Sequence, residues 1–97
     1  MENRQQGIST MQMREAPPDS DYVVPTWQSI EYFQRLANHL GRGDLRIIAA
    51  SAAASRAWAG QRRGFIIDHA VHTHPGVTKR ALAYLIDIAE IRNVPKT

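Results

Sequence analysis

The sequence contains no cysteine, and that absence removes disulfides, thiolate zinc sites and cysteine nucleophiles together. It also lacks any long apolar run. No stretch approaches the ~20 apolar residues that span a bilayer. The opening MENRQQGISTMQMREAPP holds no apolar core of a signal peptide. A soluble, cytoplasmic protein without a membrane partner is therefore expected. There is no glycine-rich loop to cradle phosphate and no nucleophile elbow, and Ser51 and Ser55 sit among alanines with no base beside them. The chain has 97 residues. A single domain of that length buries roughly 60–65% of its unfolded surface, which leaves little room for a deep cleft. These absences point to a protein that is not an enzyme, with no catalytic residue and no cofactor.

What is present is basic and rich in arginine. The net charge is +3, carried by twelve basic and nine acidic residues. Residues 1–31 hold five acids and two bases, whereas residues 32–97 hold ten bases and four acids. Ten of the twelve bases are arginine, whose planar fork suits phosphate or carboxylate better than a lysine point charge does. A basic body behind an acidic arm favours an anionic partner. The same bias also fits an ordinary solvated surface.

Hydrophobic spacing predicts helices. In TWQSIEYFQRLANHLG, Trp27, Ile30, Phe33, Ala37 and Leu40 recur at three- and four-residue steps, with Leu36 at the margin of that face. Thr26 is placed to cap its start and Gly41 to stop it. Asp44 is expected to cap a second helix. LRIIAAS suits a strand start, but seven alanines among residues 49–59 favour the helix. That alanine-rich helix is expected at the centre of the fold or at a self-association contact. FIIDHAV pairs Ile66 with Ala70 and Ile67 with Val71 and reads as a third helix ended by Pro75-Gly76. Thr78 caps a fourth, KRALAYLIDIAEIRN, with Leu82, Leu85, Ile86 and Ala89 in one stripe. Residues 1–24 show neither period and read as a flexible or partner-bound arm, although DYVVPTW can be extended because Pro25 steers Val24 away from helical dihedrals. The expected fold is all-α: a bundle of about four helices, with an N-terminal arm (1–24) before a single helical domain (25–97).

The stretch FIIDHAVHTHPGVTK places His69, His72, His74 and Asp68 within seven positions. On a helix, Asp68/His72 and His69/His72 are neighbours at metal-ligand spacing. His69 and His72 are nevertheless about 60° apart around such a helix, so one ion cannot gather all four groups while the Ile66/Ala70 face stays buried. HTHPG resembles the H-x-H-P core of JAMM-type metalloproteases. That pattern requires a serine seven residues after the proline and an aspartate three later, where this chain has Leu82 and Leu85. No metal is therefore expected. The stretch reads as a polar helix end and turn, sensitive to pH near 6–7 through its imidazoles.

The run from FIIDHAVHT through HPGV to TKRALAYLI is similar to the helix-turn-helix group in its order of helix, glycine turn and helix. That resemblance implies DNA binding, with Lys79 and Arg80 at base edges in the first turn of the second helix. Arg62 and Arg63 would hold phosphates. In winged-helix members the reading helix comes later still, and here Pro95 cuts that segment short. Two function classes remain open. One is a small regulatory protein that binds nucleic acid through Arg62, Arg63, Lys79 and Arg80, using a helix-turn-helix-like element over 65–92. The other is an adaptor or inhibitor that binds a larger protein, or forms a homodimer, through the arm and the alanine-rich helix.

Overall fold

A computed structural model describes residues 4–56 and 64–92. The elements run α1 (Arg4–Glu15), β1 (Asp21–Val24), α2 (Ile30–His39), β2 (Arg46–Ala49), α3 (Ala50–Arg56), β3 (Phe65–Ile67) and α4 (Lys79–Arg92), with short 3-10 turns at Trp27–Ser29 and His69–His72. The strands form one parallel sheet in the order β2-β1-β3. This is a mixed α/β fold, and the expected all-α bundle is wrong.

Each correction has a local cause. DYVV, RIIA and FII are runs of three or four residues rich in Val and Ile. Strands buried on both faces read as continuous apolar runs without alternation, so a search for period two passes over them. All four residues of β1 are buried. The central strand therefore comes from the segment expected to be an arm, and α1 before it is docked helix rather than free chain. Met13 and Ala16 are buried against the sheet. The alanine run divides: Ala49 ends β2 and Ala50 begins α3 with no loop between them. Asp44 caps no helix, because the chain enters a strand two residues later.

The crossovers from β1 to β2 and from β2 to β3 run in opposite directions along the sheet, so a common hand places their helices on opposite faces. On one face Tyr22, Val24 and Ile47 pack with α1 and α2 through Met13, Phe33, Leu36 and Ala37. On the other, Val23, Phe65 and Ile67 pack with Ala50, Ala53, Val71 and Leu85. Register brings Tyr22 opposite both Ile47 and Ile66, and Val23 opposite Ile48 and Ile67. At the start of the sheet Asp21 faces Arg46 directly, and Arg46 holds its carboxylate with two bonds of 2.7 and 3.0 Å.

Two glycines are required where they stand. Gly41 ends α2 with φ 73°, as its position predicts. At Gly64 a Cβ would collide with the Ser20 side chain, while the Gly64 carbonyl accepts Asp21 N–H at 2.9 Å. GRGD (41–44) becomes a clamp. Arg42 donates to Asp44 Oδ1 at 3.0 Å, to Pro17 O at 3.3 Å and to the Met13 carbonyl, which binds the last turn of α1. Asp44 Oδ2 accepts Asp19 N–H at 2.7 Å. The Arg42 hydrogen bonds, reinforced by that backbone N–H, hold the Asp44 carboxyl below the usual range.

Candidate functional site

In a doubly wound sheet, the helix after one strand covers one face and the helix after its neighbour covers the other, so the chain parts at their carboxyl ends and leaves a crevice. Here that point lies between β1 and β3. β1 leads to α2 on one face; β3 leads to α4 on the opposite face. The segments that leave the sheet at this point, its two walls, are Pro25-Thr26-Trp27 after β1 and the histidine stretch after β3.

The β1 wall is tightly turned. Ser29 Oγ donates to the Thr26 carbonyl at 2.7 Å and stands 3.4 Å from Thr26 N–H, and Ser29 N–H donates to the same carbonyl at 3.1 Å. These bonds start the helix where the sequence places its cap. They also turn Trp27 outward. It is 70% exposed, so its expected place in the core is overturned, while Phe33, Leu36 and Ala37 from the same periodic face are buried.

The β3 wall begins at Asp68, which is fully buried. Its Oδ1 accepts the Tyr22 hydroxyl and, at 2.8 Å, the Ser9 hydroxyl from α1. Its Oδ2 accepts Ala70 N–H at 3.0 Å, which starts the 3-10 turn, and lies 4.0 Å from His69 Nε2. Burial, and then the hydrogen bond to Asp68, push the Tyr22 phenol far above its ordinary range, so Tyr22 acts as a fixed donor. Beside this cluster Gln12 imitates a neighbouring strand: its amide donates to the Ile67 carbonyl at 3.0 Å and accepts His69 N–H at 2.8 Å. The polar groups around Asp68 are thus engaged in fixing α1 and the end of β3.

The expected helix over 65–73 is replaced by a strand, a buried carboxylate and a 3-10 turn, so the helix-turn-helix layout is absent. His72 is exposed, and His74 Nδ1 accepts Gly76 N–H at 2.9 Å, which sets the Pro-Gly turn. Among the described residues, no group of three or more histidine, aspartate or glutamate side chains is placed to hold a metal ion. The turn leads into α4, where Thr78 Oγ1 accepts Ala81 N–H at 3.1 Å as the expected cap.

Of the four residues expected to bind nucleic acid, Lys79 and Arg80 are exposed in the first turn of α4, at the carboxyl edge of the sheet. Arg62 and Arg63 lie outside the described residues. The two walls meet: a Cβ at Gly76 would lie 3.8 Å from the Thr26 methyl. Trp27 is one residue from Thr26 and Lys79 is three residues from Gly76, so both leave the chain close to this approach. Sequence reasoning missed Trp27 as a surface group because the residue fits the apolar period; the cue was its place in the helix's first turn. Tyr22 and Ser9 carried no cue, since their role depends on a carboxylate 46 and 59 residues away. No family model matches the sequence, and no curated protein or solved structure matches it either.

Proposed function

We propose that the protein is a small non-enzymatic binding domain for single-stranded nucleic acid, which it takes at the carboxyl edge of the sheet. Lys79 and Arg80 would hold phosphate, and Trp27 would stack a base. The observation that carries this reading is the close approach of Gly76 to Thr26, beside which the chain carries an exposed indole at Trp27 and, three and four residues after Gly76, two exposed cations. Base–aromatic stacking beside a cationic track is how strands are bound without sequence preference. The start of α4 adds the positive end of its dipole to the same place. A single strand suits this edge better than a duplex, because an exposed indole needs an unstacked base. The reading is non-enzymatic because Asp68, the carboxylate nearest the crevice, is enclosed by Tyr22, Ser9 and Ala70.

Fluorescence anisotropy with labelled single-stranded and duplex DNA, at low and moderate salt, tests it. Binding should weaken steeply with salt. Replacing Lys79 and Arg80 by alanine should reduce the slope of log K against log salt by about 1.4, at about 0.7 per phosphate contact on a single strand. Trp27→Ala should cost about 1–3 kcal/mol of affinity. Absence of binding at low salt, or binding that survives both changes, would overturn the reading. A clear preference for duplex would remove the stacking role of Trp27.

A further inference from the structure

The helix α1 is joined to the sheet by Ala16-Pro17-Pro18-Asp19-Ser20, and this hinge is stiff at one end. Ala16 and Pro17 each precede a proline and are confined to extended dihedrals, while both prolines fix their own φ. The reversal that folds α1 back on its own sheet falls largely to Asp19. Its φ is 62°, the only positive value at a non-glycine residue among the described residues. Left-handed backbone costs any residue with a Cβ, aspartate less than most, and glycine nothing. The closed hinge is held by Asp19 N–H to Asp44 Oδ2 at 2.7 Å, Ser20 Oγ to Pro17 O at 2.6 Å and Arg42 Nη2 to Pro17 O at 3.3 Å.

The patch that receives α1 is small and largely polar: Ser9 on Asp68, Gln12 on Ile67 and His69, Arg42 on the Met13 carbonyl, with Met13 and Ala16 as the buried apolar groups. Every one of these contacts can be made equally well by the α1 of another molecule. We propose that α1 is an exchangeable element and that two copies of this chain associate by swapping it. In the swapped dimer the hinge straightens into the extended form its prolines favour, and Asp19 leaves the left-handed region. The Ser9, Gln12 and Met13 contacts re-form across the two chains. The contacts given up are those local to the closed hinge, among them Asp19–Asp44, Arg42–Pro17 and Ser20–Pro17. Short strained hinges are the setting in which such exchange arises. This proposal stands apart from the nucleic-acid reading.

The test is light scattering on the full chain after refolding at micromolar and at millimolar concentration, together with cross-linking of a Gln12→Cys/His69→Cys variant by a short bis-maleimide. The chain has no cysteine, so these would be its only thiols. The expected result is a dimer whose population rises with refolding concentration. Its two thiols should link between chains in the dimer fraction and within one chain in the monomer fraction. Asp19→Gly removes the strain of the closed hinge and should raise the dimer dissociation constant about twenty-five-fold, roughly fivefold for each of two hinges. A chain that stays monomeric after millimolar refolding overturns the proposal. So does a dimer linked only within chains, or an Asp19→Gly dimer with unchanged affinity. If the cysteine variant fails to fold by circular dichroism, the Asp19→Gly comparison decides alone.

Discussion

The two faces of the sheet are both closed to solvent, but different forces close them. On the α3/α4 face the packed core is apolar, with the buried carboxylate of Asp21 held by Arg46 at its edge, and Ala50 and Ala53 are small enough to let α3 lie close to Val23. On the α1/α2 face an apolar core of Phe33, Leu36, Met13 and Val24 surrounds a buried polar cluster in which Tyr22 and Ser9 both donate to Asp68. Apolar packing is set by volume and indifferent to direction. Hydrogen bonds in a dry core are directional, and a partly satisfied cluster is costly. The comparison teaches that the first face supplies stability, while the second fixes where α1 sits and where β3 ends. That difference is also why α1 can re-dock in only one way, on its own chain or on another.

Truncation breaks both faces, and conservative exchange separates them. Asp68→Ala leaves the Tyr22 hydroxyl, the Ser9 hydroxyl and the Ala70 N–H without their acceptor, and should cost about 3–5 kcal/mol. Leu85→Ala on the apolar face opens a cavity at a fully buried site and should cost about 3 kcal/mol. Against a total stability of about 5–15 kcal/mol, either change is severe. The isosteric pair is more telling. Leu85→Met keeps volume and should cost less than about 1.5 kcal/mol. Asp68→Asn keeps shape but sets an amide N–H₂ against donors, and should cost about 2–3 kcal/mol. Urea midpoints at constant m-value measure all four. Equal losses from the two isosteric changes would erase the distinction between the faces.

The clamp at Arg42 and Asp44 sharpens the comparison, because it ties α1 to the α2–β2 connection by charge. Asp44 is held below the usual carboxylate range by its hydrogen bonds to Arg42 and to the Asp19 backbone. Its folded value lies below its unfolded one. The stabilisation it provides is therefore complete above the unfolded carboxylate range and is lost as pH falls toward the folded value. Acid should loosen the α1 side before the α3/α4 side, seen as earlier loss of amide protection at Gln12 and Met13 than at Leu85. Asp44→Asn should flatten that dependence, and uniform loss of protection in the wild type would contradict it.

Two helices were legible from their apolar spacing, whereas α1, which buries little beyond Ser9 and Met13, was not. Lys79–Arg92 and Ile30–His39 follow the three- and four-residue spacing, and Thr78 and Gly41 stand where their termini need them. The strands were not, because the central strand of a parallel sheet has no polar face to alternate with, and Asp21-Tyr22-Val23-Val24 is buried throughout. Alanine propensity misled at 49–50, where neighbouring β-branched residues Ile47 and Ile48 carry the chain into the sheet before the helix begins. Of the candidate site, Lys79 and Arg80 follow from the helix-turn-helix resemblance, which the strand at 65–67 removes; what the sequence does place is the helix start after Thr78 that leaves both exposed. Their companion Trp27 could not be placed in advance, since the contact between Thr26 and the Gly76 turn joins positions fifty residues apart.

The smallest expected effect comes from the surface of α2, and it serves as the reference for the others. Glu31 and Arg35 form an ion pair of 2.8 Å one helical turn apart, with both side chains 77% exposed. At that exposure the attraction is screened by water and salt, and ordering two long side chains offsets most of it. Glu31→Ala should therefore lower stability by no more than about 0.5 kcal/mol, part of it from the lost negative charge in the first turn of α2. The shift should shrink further in molar salt. A loss comparable to that of Asp68→Asn would mean that charge on the outer surface of α2, rather than the buried cluster beneath it, holds this face of the sheet.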